Sequence, residues 1–355
     1  MKLPHAIEEV TAEWVSAALS VRYPGTEVTR LTFGSAVRAT GTKQRLLLEY
    51  NDAGHAHRLP ATMWYKGGLE PHSDHVRTSH VRESLFYDRI APLNLVNAPA
   101  GYFAAVDETG HSAQLIEDLL QRNARFGTAL KPLSPEAAAQ ALEMLARLHA
   151  HWWRAPELEQ LGAPGGTLAT DGIILRLLTP EAWDAAMLRP AADGLEAGLR
   201  DVANVRGGME ALWEVDRTSA GLCMVHGDAH PGNLFFEQDG RPGFLDWQRL
   251  MQCDWAHDIN YLLVSSMGIE DCAEREQDLL RHYLEFRTAL GVPAMTWDDA
   301  WLSYRQHTMY GLIWNVVPPA MQTAEVCDAV ASRFNAASQR HDVLGSLNMT
   351  HIGHG

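Results

Sequence analysis

Residues 224–248 read MVHGDAHPGNLFFEQDGRPGFLDWQ. Two short apolar runs of core composition carry polar residues at their ends: His226, Asp228, His230, Asn233 and Asp246. LFFE and GFLD have the length of strands, and the QDGRP between them holds Asp-Gly, a strong turn signal. The spacing predicts a hairpin in which Asn233, at the entry, returns beside Asp246, at the exit, 246 − 233 = 13 residues later. HGDAHPG then leads in as a loop containing Asp228. Three oxygen acceptors, Asp228, Asn233 and Asp246, are expected at one end of a buried hairpin.

Hard oxygen donors of this kind suit Mg²⁺, which takes one or two carboxylates and completes its shell with water and phosphate. The remaining carboxylate is left to orient a hydroxyl and accept its proton. That is the layout for moving a phosphoryl group onto an alcohol, a reaction governed by positioning and charge neutralisation. Asp228 precedes Asn233 by 233 − 228 = 5 residues, the step that separates base Asp and metal-binding Asn in a kinase catalytic loop.

The 355-residue chain has room for two domains or one large two-lobed one, and 46% apolar residues allow a sizeable core. Its net charge of −15 argues against nucleic acid, whose binders usually carry a basic footprint. Cys223, Cys253, Cys272 and Cys327 form no C-x-x-C pair, which reads as a reduced, cytoplasmic protein. The N-terminal MKLPHAIEEVTAEW has acidic residues where a signal peptide needs an apolar stretch. No apolar run approaches the ~18 residues of a membrane helix. Neither a membrane nor a nucleic-acid partner is expected.

Thr11 can cap a first helix. VTRLTF and RLLLEY, joined by the Gly-, Ser- and Thr-rich GSAVRATGTKQ, suggest a hairpin. LPATMWYKGG reads as a third strand with Thr62, Trp64 and Lys66 on one face. SHVRESLFYDRI reads as a helix placing Ser79, Glu83, Phe86, Tyr87 and Ile90 on one stripe. GYFAAVDETGHSAQLIEDL reads as strand, turn at Thr109-Gly110, and strand ending near Glu117. The texture then becomes helical: Ser134 is a cap, Pro135 takes the first helical position, and Leu142, Leu145, Ala146, His149, Trp152 and Trp153 recur at helical spacing, which puts His149, Trp152 and Trp153 on an apolar stripe expected in the core. A β-rich part of roughly 120 residues precedes a larger α-rich part, with the seam just after IEDL.

VHGDAHPGNLFF and GFLDWQ together resemble the phosphotransferase signature of the aminoglycoside phosphotransferase and choline kinase-like families. LDWQ, LPATMWYKGG, LIEDL and LARLHAHWW are most similar to the ecdysteroid-kinase-like branch and its bacterial relatives. The resemblance runs from about residue 30 to about residue 265 and is most specific in the catalytic segment. It implies an α+β, two-lobed, protein-kinase-like fold. Residues 1–118 would be a β-rich nucleotide-binding lobe with one main helix. Residues 119–345 would be a larger α-rich lobe carrying the catalytic hairpin and binding the acceptor, and 346–355 a loose tail. The implied cofactors are ATP and Mg²⁺, and the implied substrate is a small-molecule alcohol.

Residue by residue, the resemblance implies Asp228 as catalytic base and Asn233 and Asp246 as holders of Mg²⁺. Lys66 would contact the α- and β-phosphates, and Glu83 would pair with Lys66. LIEDLL would be the hinge, with the Glu117 carbonyl and Leu119 amide meeting adenine. The loop from Gly34 to Thr42 would cover the phosphates, although it is not a G-x-G-x-x-G. Its glycines are Gly34 and Gly41, with Ser35, Thr40 and Thr42 between or beside them.

Three rival functions come from different classes. A non-catalytic nucleotide-binding module would have lost Asp228, Asn233 or Asp246, and none is lost. An aminoglycoside-resistance kinase would have the same motifs and an acidic acceptor patch, which the net charge permits; the Trp-rich helices favour a more apolar alcohol. A metal-dependent hydrolase could use His226, Asp228 and His230 as alternate residues of one strand, but Gly227, Pro231 and Gly232 disfavour a straight strand. No second His/Asp cluster with ligand spacing occurs in the sequence. Asp258 is expected to anchor its helix or the catalytic loop. His307, Tyr310, Gly311 and Trp314 share a helical stripe; core is the default for them, with Tyr310 or Trp314 as candidates to line an acceptor pocket.

Overall fold

The computed structural model describes residues 1–38, 41–70, 73–166 and 173–349. They divide into two compact units, the first made of Met1–Arg125, Glu237–Asp239 and Gly243–Leu250, the second of the remaining described residues.

The first unit is built on a five-stranded antiparallel sheet. Helix α1 (Ala12–Ser20) starts where the Thr11 side chain accepts the Trp14 amide, a standard N-cap. Strands β1 (Val28–Arg38), β2 (Thr42–Tyr50) and β3 (Thr62–Gly67) follow, then helix α2 (Arg77–Leu85), β4 (Gly101–Val106) and β5 (Ser112–Glu117). The sheet order is β1-β2-β3-β5-β4. Val15, Ala18 and Leu19 of α1 join Leu46, Leu48, Met63, Tyr65 and Leu115 of the sheet in one buried core. Burial on both faces of β3 places Lys66, 5% exposed, where an unpaired charge would be costly.

The stretch 34–42 departs from expectation. Gly34 to Arg38 continue β1 instead of forming a loop, and β2 begins at Thr42. Pairing persists to Arg38↔Thr42, with an irregularity between Phe33 and Ala36 where Gly34 sits, as expected of a bulge. Thr40, counted with this loop, lies outside the described residues. SHVRESLFYDRI is α-helical only to Leu85; Phe86–Ile90 is a single π-helical turn. The wider turn still buries Phe86, Tyr87 and Ile90.

The second unit is mainly helical. Helix α3 (Pro135–His151) has Ser134 accepting the Ala137 amide and Pro135 at its first position. Helix α4 (Val202–Thr218) precedes β6 (Leu222–Val225). The hairpin strands are β7 (Leu234–Phe236) and β8 (Pro242–Phe244), shorter than LFFE and GFLD suggest; Gly240 takes the left-handed turn position at φ +88°. Strand β9 (Met251–Asp254) pairs antiparallel with β6. Helices α5 (Ala256–Ser266), α6 (Ile269–Ala289), α7 (Trp297–Gln306) and α8 (Ala324–His341) follow. All eleven residues of α5 are buried, so it is the central helix of this unit. Trp152 and Trp153, expected in the core, are only half-buried, because α3 ends at His151. The final six residues of the expected tail lie outside the described set; Val343–Ser346 is a short helix. No helix among the described residues is long and apolar enough to cross a membrane. The four cysteines are free and buried.

A buried carboxylate ties the late helices together. Glu276 of α6 accepts from Arg340 Nε at 2.7 Å and Nη2 at 3.0 Å, from Tyr304 Oη at 3.2 Å, and contacts His341 Nε2 at 3.0 Å. Burial opposes its charge, but these partners outweigh burial and lower its pKa from 4.5 to about 2. A depressed carboxylate pKa adds stability above the unfolded value and loses it as pH falls through the folded one. Glu276→Gln is therefore expected to destabilise the protein by about 3 kcal/mol near neutral pH, the scale of a broken buried ion pair. In urea melts the difference from wild type should shrink as pH is lowered from 4.5 towards 2; a difference independent of pH would contradict this role.

Candidate active site

In the first unit four charged side chains meet, two from the sheet, one from α2 and one from the segment 243–250. Lys66, on β3, pairs through Nζ with Glu83 Oε1 of α2. The same Nζ lies 3.6 Å from Asp246 Oδ1. Lys43, directly opposite Lys66 on β2, places its Nζ 3.6 Å from Asp246 Oδ2. Two cations and two anions cancel, which is how the interior tolerates them. Burial alone would discharge Lys66; Asp246 and Glu83 outweigh it and raise its pKa. Glu83, fully buried, is pushed upward by desolvation against the pull of Lys66. Its Oε2 has no hydrogen-bond partner among the described residues.

Asp246 has left-handed backbone (φ +63°, ψ +69°), uncommon outside glycine and typical of functional positions. Next to it, Trp247 stacks on Phe86 with ring centroids 3.8 Å apart and planes 5° from parallel. This clamps the 243–250 segment onto the turn that follows α2 and so fixes Asp246 beside Lys66.

The expected hinge is held by its side chains. Arg122 Nε donates to Glu117 Oε1 at 2.7 Å, and Arg122 Nη1 donates to Glu237 Oε1 at 2.7 Å. Asp118 accepts from Arg45 Nε at 2.7 Å and Thr62 Oγ1 at 2.9 Å, and caps the turn at the Leu120 amide. Glu117 thus spends its carboxylate on Arg122, and Leu119 is buried at 6% exposure. The adenine contacts expected of these two residues are main-chain ones and do not involve these side chains.

In the second unit the loop expected to be catalytic begins where β6 ends. Gly227 turns it with φ +80°, so His226, Asp228 and His230 do not share one strand face. Asp258, near the start of α5, accepts the His226 amide at 2.7 Å and the Gly227 amide at 2.9 Å. His149 Nε2 lies 3.2 Å from Asp258 Oδ2, and His149 Nδ1 lies 2.8 Å from Tyr283 Oη. Burial opposes the Asp258 charge, but His149 and the neighbouring histidines hold its pKa below the usual carboxylate range. His257 Nε2 donates to the Gly227 carbonyl at 3.2 Å. Beyond the turn, Asn233 Nδ2 donates to the Asp228 carbonyl at 2.9 Å and to Asp228 Oδ2 at 3.2 Å. These bonds orient the Asp228 carboxylate and direct the Asn233 amide oxygen away from it. The carboxylate of Asp246 and the amide oxygen of Asn233 are hard donors of the kind Mg²⁺ takes.

His226 accepts the Asp228 amide through Nδ1 at 3.2 Å, and His230 accepts the Gly232 amide, so both shape the loop. His230 packs edge-on to Trp314 at 5.3 Å, whose Nε1 donates to Tyr261 Oη at 2.8 Å. Tyr310 and Trp314 are buried, in keeping with a core role.

Sequence reasoning missed Lys43, Asp118 and the His149–Asp258 link. The β2–β3 register would have pointed to Lys43, since it lies opposite Lys66; nothing local marks the other two.

Fold and site together define a kinase-like transferase. The phosphotransferase enzyme family matches residues 70–297, more than half of the chain, and the chain belongs to that family. It is an enzyme of the small-molecule kinase class. A choline kinase from Cryptosporidium parvum has the same fold, with a TM-score of 0.50 at 12% identity, covering 96% of this chain and 98% of its own. A choline/ethanolamine kinase family protein from Mesorhizobium loti is similar at TM-score 0.49 and 14% identity, covering 96% and 99%. An aminoglycoside phosphotransferase from Streptomyces rimosus is similar at TM-score 0.44 and 14% identity, covering 86% and 98%. No curated protein sequence matches the chain significantly.

Asp258→Asn keeps the shape but swaps one acceptor for a donor aimed at backbone amides. It is expected to cost about 2–4 kcal/mol and to speed hydrogen exchange at the His226 and Gly227 amides. Unchanged exchange there would show that the loop does not depend on this carboxylate.

Proposed function

We propose that the chain transfers the γ-phosphate of ATP, with Mg²⁺, to a hydroxyl of a small molecule in the cytoplasm. The observation that carries this reading is the pair of prepared groups: Lys66 between Glu83 and Asp246, and Asp228 oriented by Asn233. Residues 1–118 serve as the nucleotide lobe, and 119–345 supply the catalytic loop and the acceptor site. Lys66, kept charged by its carboxylates, meets the α- and β-phosphates, and Lys43 adds a second cation. Main-chain groups of Glu117 and Leu119 receive the adenine. Asp228 orients the acceptor hydroxyl and takes its proton as the oxygen attacks phosphorus; ADP and a phosphate monoester leave. Mg²⁺ held by Asn233 and Asp246 would neutralise phosphate oxygens.

Millimolar ATP with Mg²⁺ should raise the melting temperature, because a ligand at 100 times its Kd adds about 2.7 kcal/mol to stability. Lys66→Met should lose most of that shift while remaining folded. No shift in the wild type would overturn the nucleotide role.

A further inference from the structure

Asp216 in the last turn of α4, Cys253 on β9 and His307 just after α7 bring together a carboxylate, a thiol and an imidazole in the second unit. One ligand atom from each lies within 4.8 Å of the others, and the residues are 2%, 0% and 1% exposed. They are separated by 253 − 216 = 37 and 307 − 253 = 54 positions, so no ligand spacing marks them in the sequence.

The geometry assigns the ring nitrogens. His307 Nδ1 is 2.7 Å from the Ser303 carbonyl, one turn back. A carbonyl only accepts, so Nδ1 carries hydrogen and Nε2 is the atom that faces Asp216 Oδ1, 3.1 Å away. Metal-ligating histidines are typically oriented in this way, the distal N–H held by a backbone carbonyl. Tetrahedral bonds of about 2.0–2.3 Å set donor atoms roughly 3.3–3.8 Å apart, so a small adjustment seats one ion among the three. Mixed nitrogen, sulfur and oxygen donors suit Zn²⁺ and not Mg²⁺ or Ca²⁺.

Charge favours the exchange. Without an ion, an Asp216 carboxylate, a Cys253 thiol and a doubly protonated His307 sum to zero. One Zn²⁺ displaces two protons to solvent, from Sγ and from Nε2. Carboxylate, thiolate, neutral imidazole and dication again sum to zero, so the buried interior gains no net charge.

We propose that Asp216, Cys253 and His307 form a buried zinc site with three protein ligands. It joins α4 and α7 to β9, the strand paired with β6, from which the catalytic loop emerges. His257, the donor to the Gly227 carbonyl, packs edge-on to His307 at 6.2 Å. The site is separate from the Mg²⁺ ligands proposed above.

The test is a cobalt titration of chelator-treated protein. Wild type should develop a near-ultraviolet thiolate-to-cobalt charge-transfer band that saturates at one equivalent, and Zn²⁺ should bleach it and raise the melting temperature. Cys253→Ser should lose the band, whereas Cys272→Ser and Cys327→Ser should keep it. Absence of the band in wild type, or its persistence in Cys253→Ser, overturns the site in favour of a metal-free hydrogen-bonded triad. If Cys253→Ser does not fold, the other cysteines decide: a band kept in each of Cys223→Ser, Cys272→Ser and Cys327→Ser leaves Cys253 as its source, and a band lost in any of them overturns the site.

Discussion

The second unit is organised around one buried carboxylate, Asp258. It accepts two consecutive backbone amides, His226 and Gly227, and is held by His149 from another helix. Charge-assisted bonds of this kind are shorter and stronger than neutral ones. Because both amides belong to the turn before Asp228, the position of Asp228 is set by a residue 30 positions away (258 − 228). The link extends through His149 to Tyr283, so α3, α5 and α6 all share in holding the loop. A catalytic group on a loop gains its precision from such a rigid support.

The first unit solves a different problem, keeping a lysine charged inside a core. Lys66 is 5% exposed, and desolvation acts to discharge it. Glu83 and Asp246 reverse that effect, while Lys43 balances the second carboxylate. A phosphate group arriving here would meet cations already oriented. Asp246 accepts a left-handed backbone, and the Phe86–Trp247 stack holds the segment against the strain. The packing of two aromatic rings thus supports the electrostatics of a neighbouring site.

Much of this was legible where the signal is local. Asp228 and Asn233 are five residues apart and meet through the loop's own hydrogen bonds. Ser134, Pro135 and Thr11 announced their helix starts through capping chemistry that depends on neighbours in sequence. Signals that depend on register or on distant elements were not legible. Lys43 matters because β2 and β3 pair in one particular alignment. His149 read as a core residue on an apolar stripe; it is in the core, and it is also the partner of Asp258. GSAVRATGTKQ looked like a loop because small polar residues usually mark turns, yet pairing with β2 extends β1 through Arg38. Asp216, Cys253 and His307 fall in three separate segments, and only tertiary packing gathers them.

The role proposed for the oriented Asp228 is phosphoryl transfer from ATP to an alcohol. The most direct measurement uses γ-labelled ATP and Mg²⁺ with a panel of sugars, amino alcohols, steroids, terpenoids and phenols. Wild type and Asp228→Asn are compared after equal nucleotide binding has been verified for both. Label is expected in a phosphate monoester, with the rate falling by about 10²–10⁴-fold in Asp228→Asn, the usual contribution of a general base. Full transfer by Asp228→Asn would contradict it.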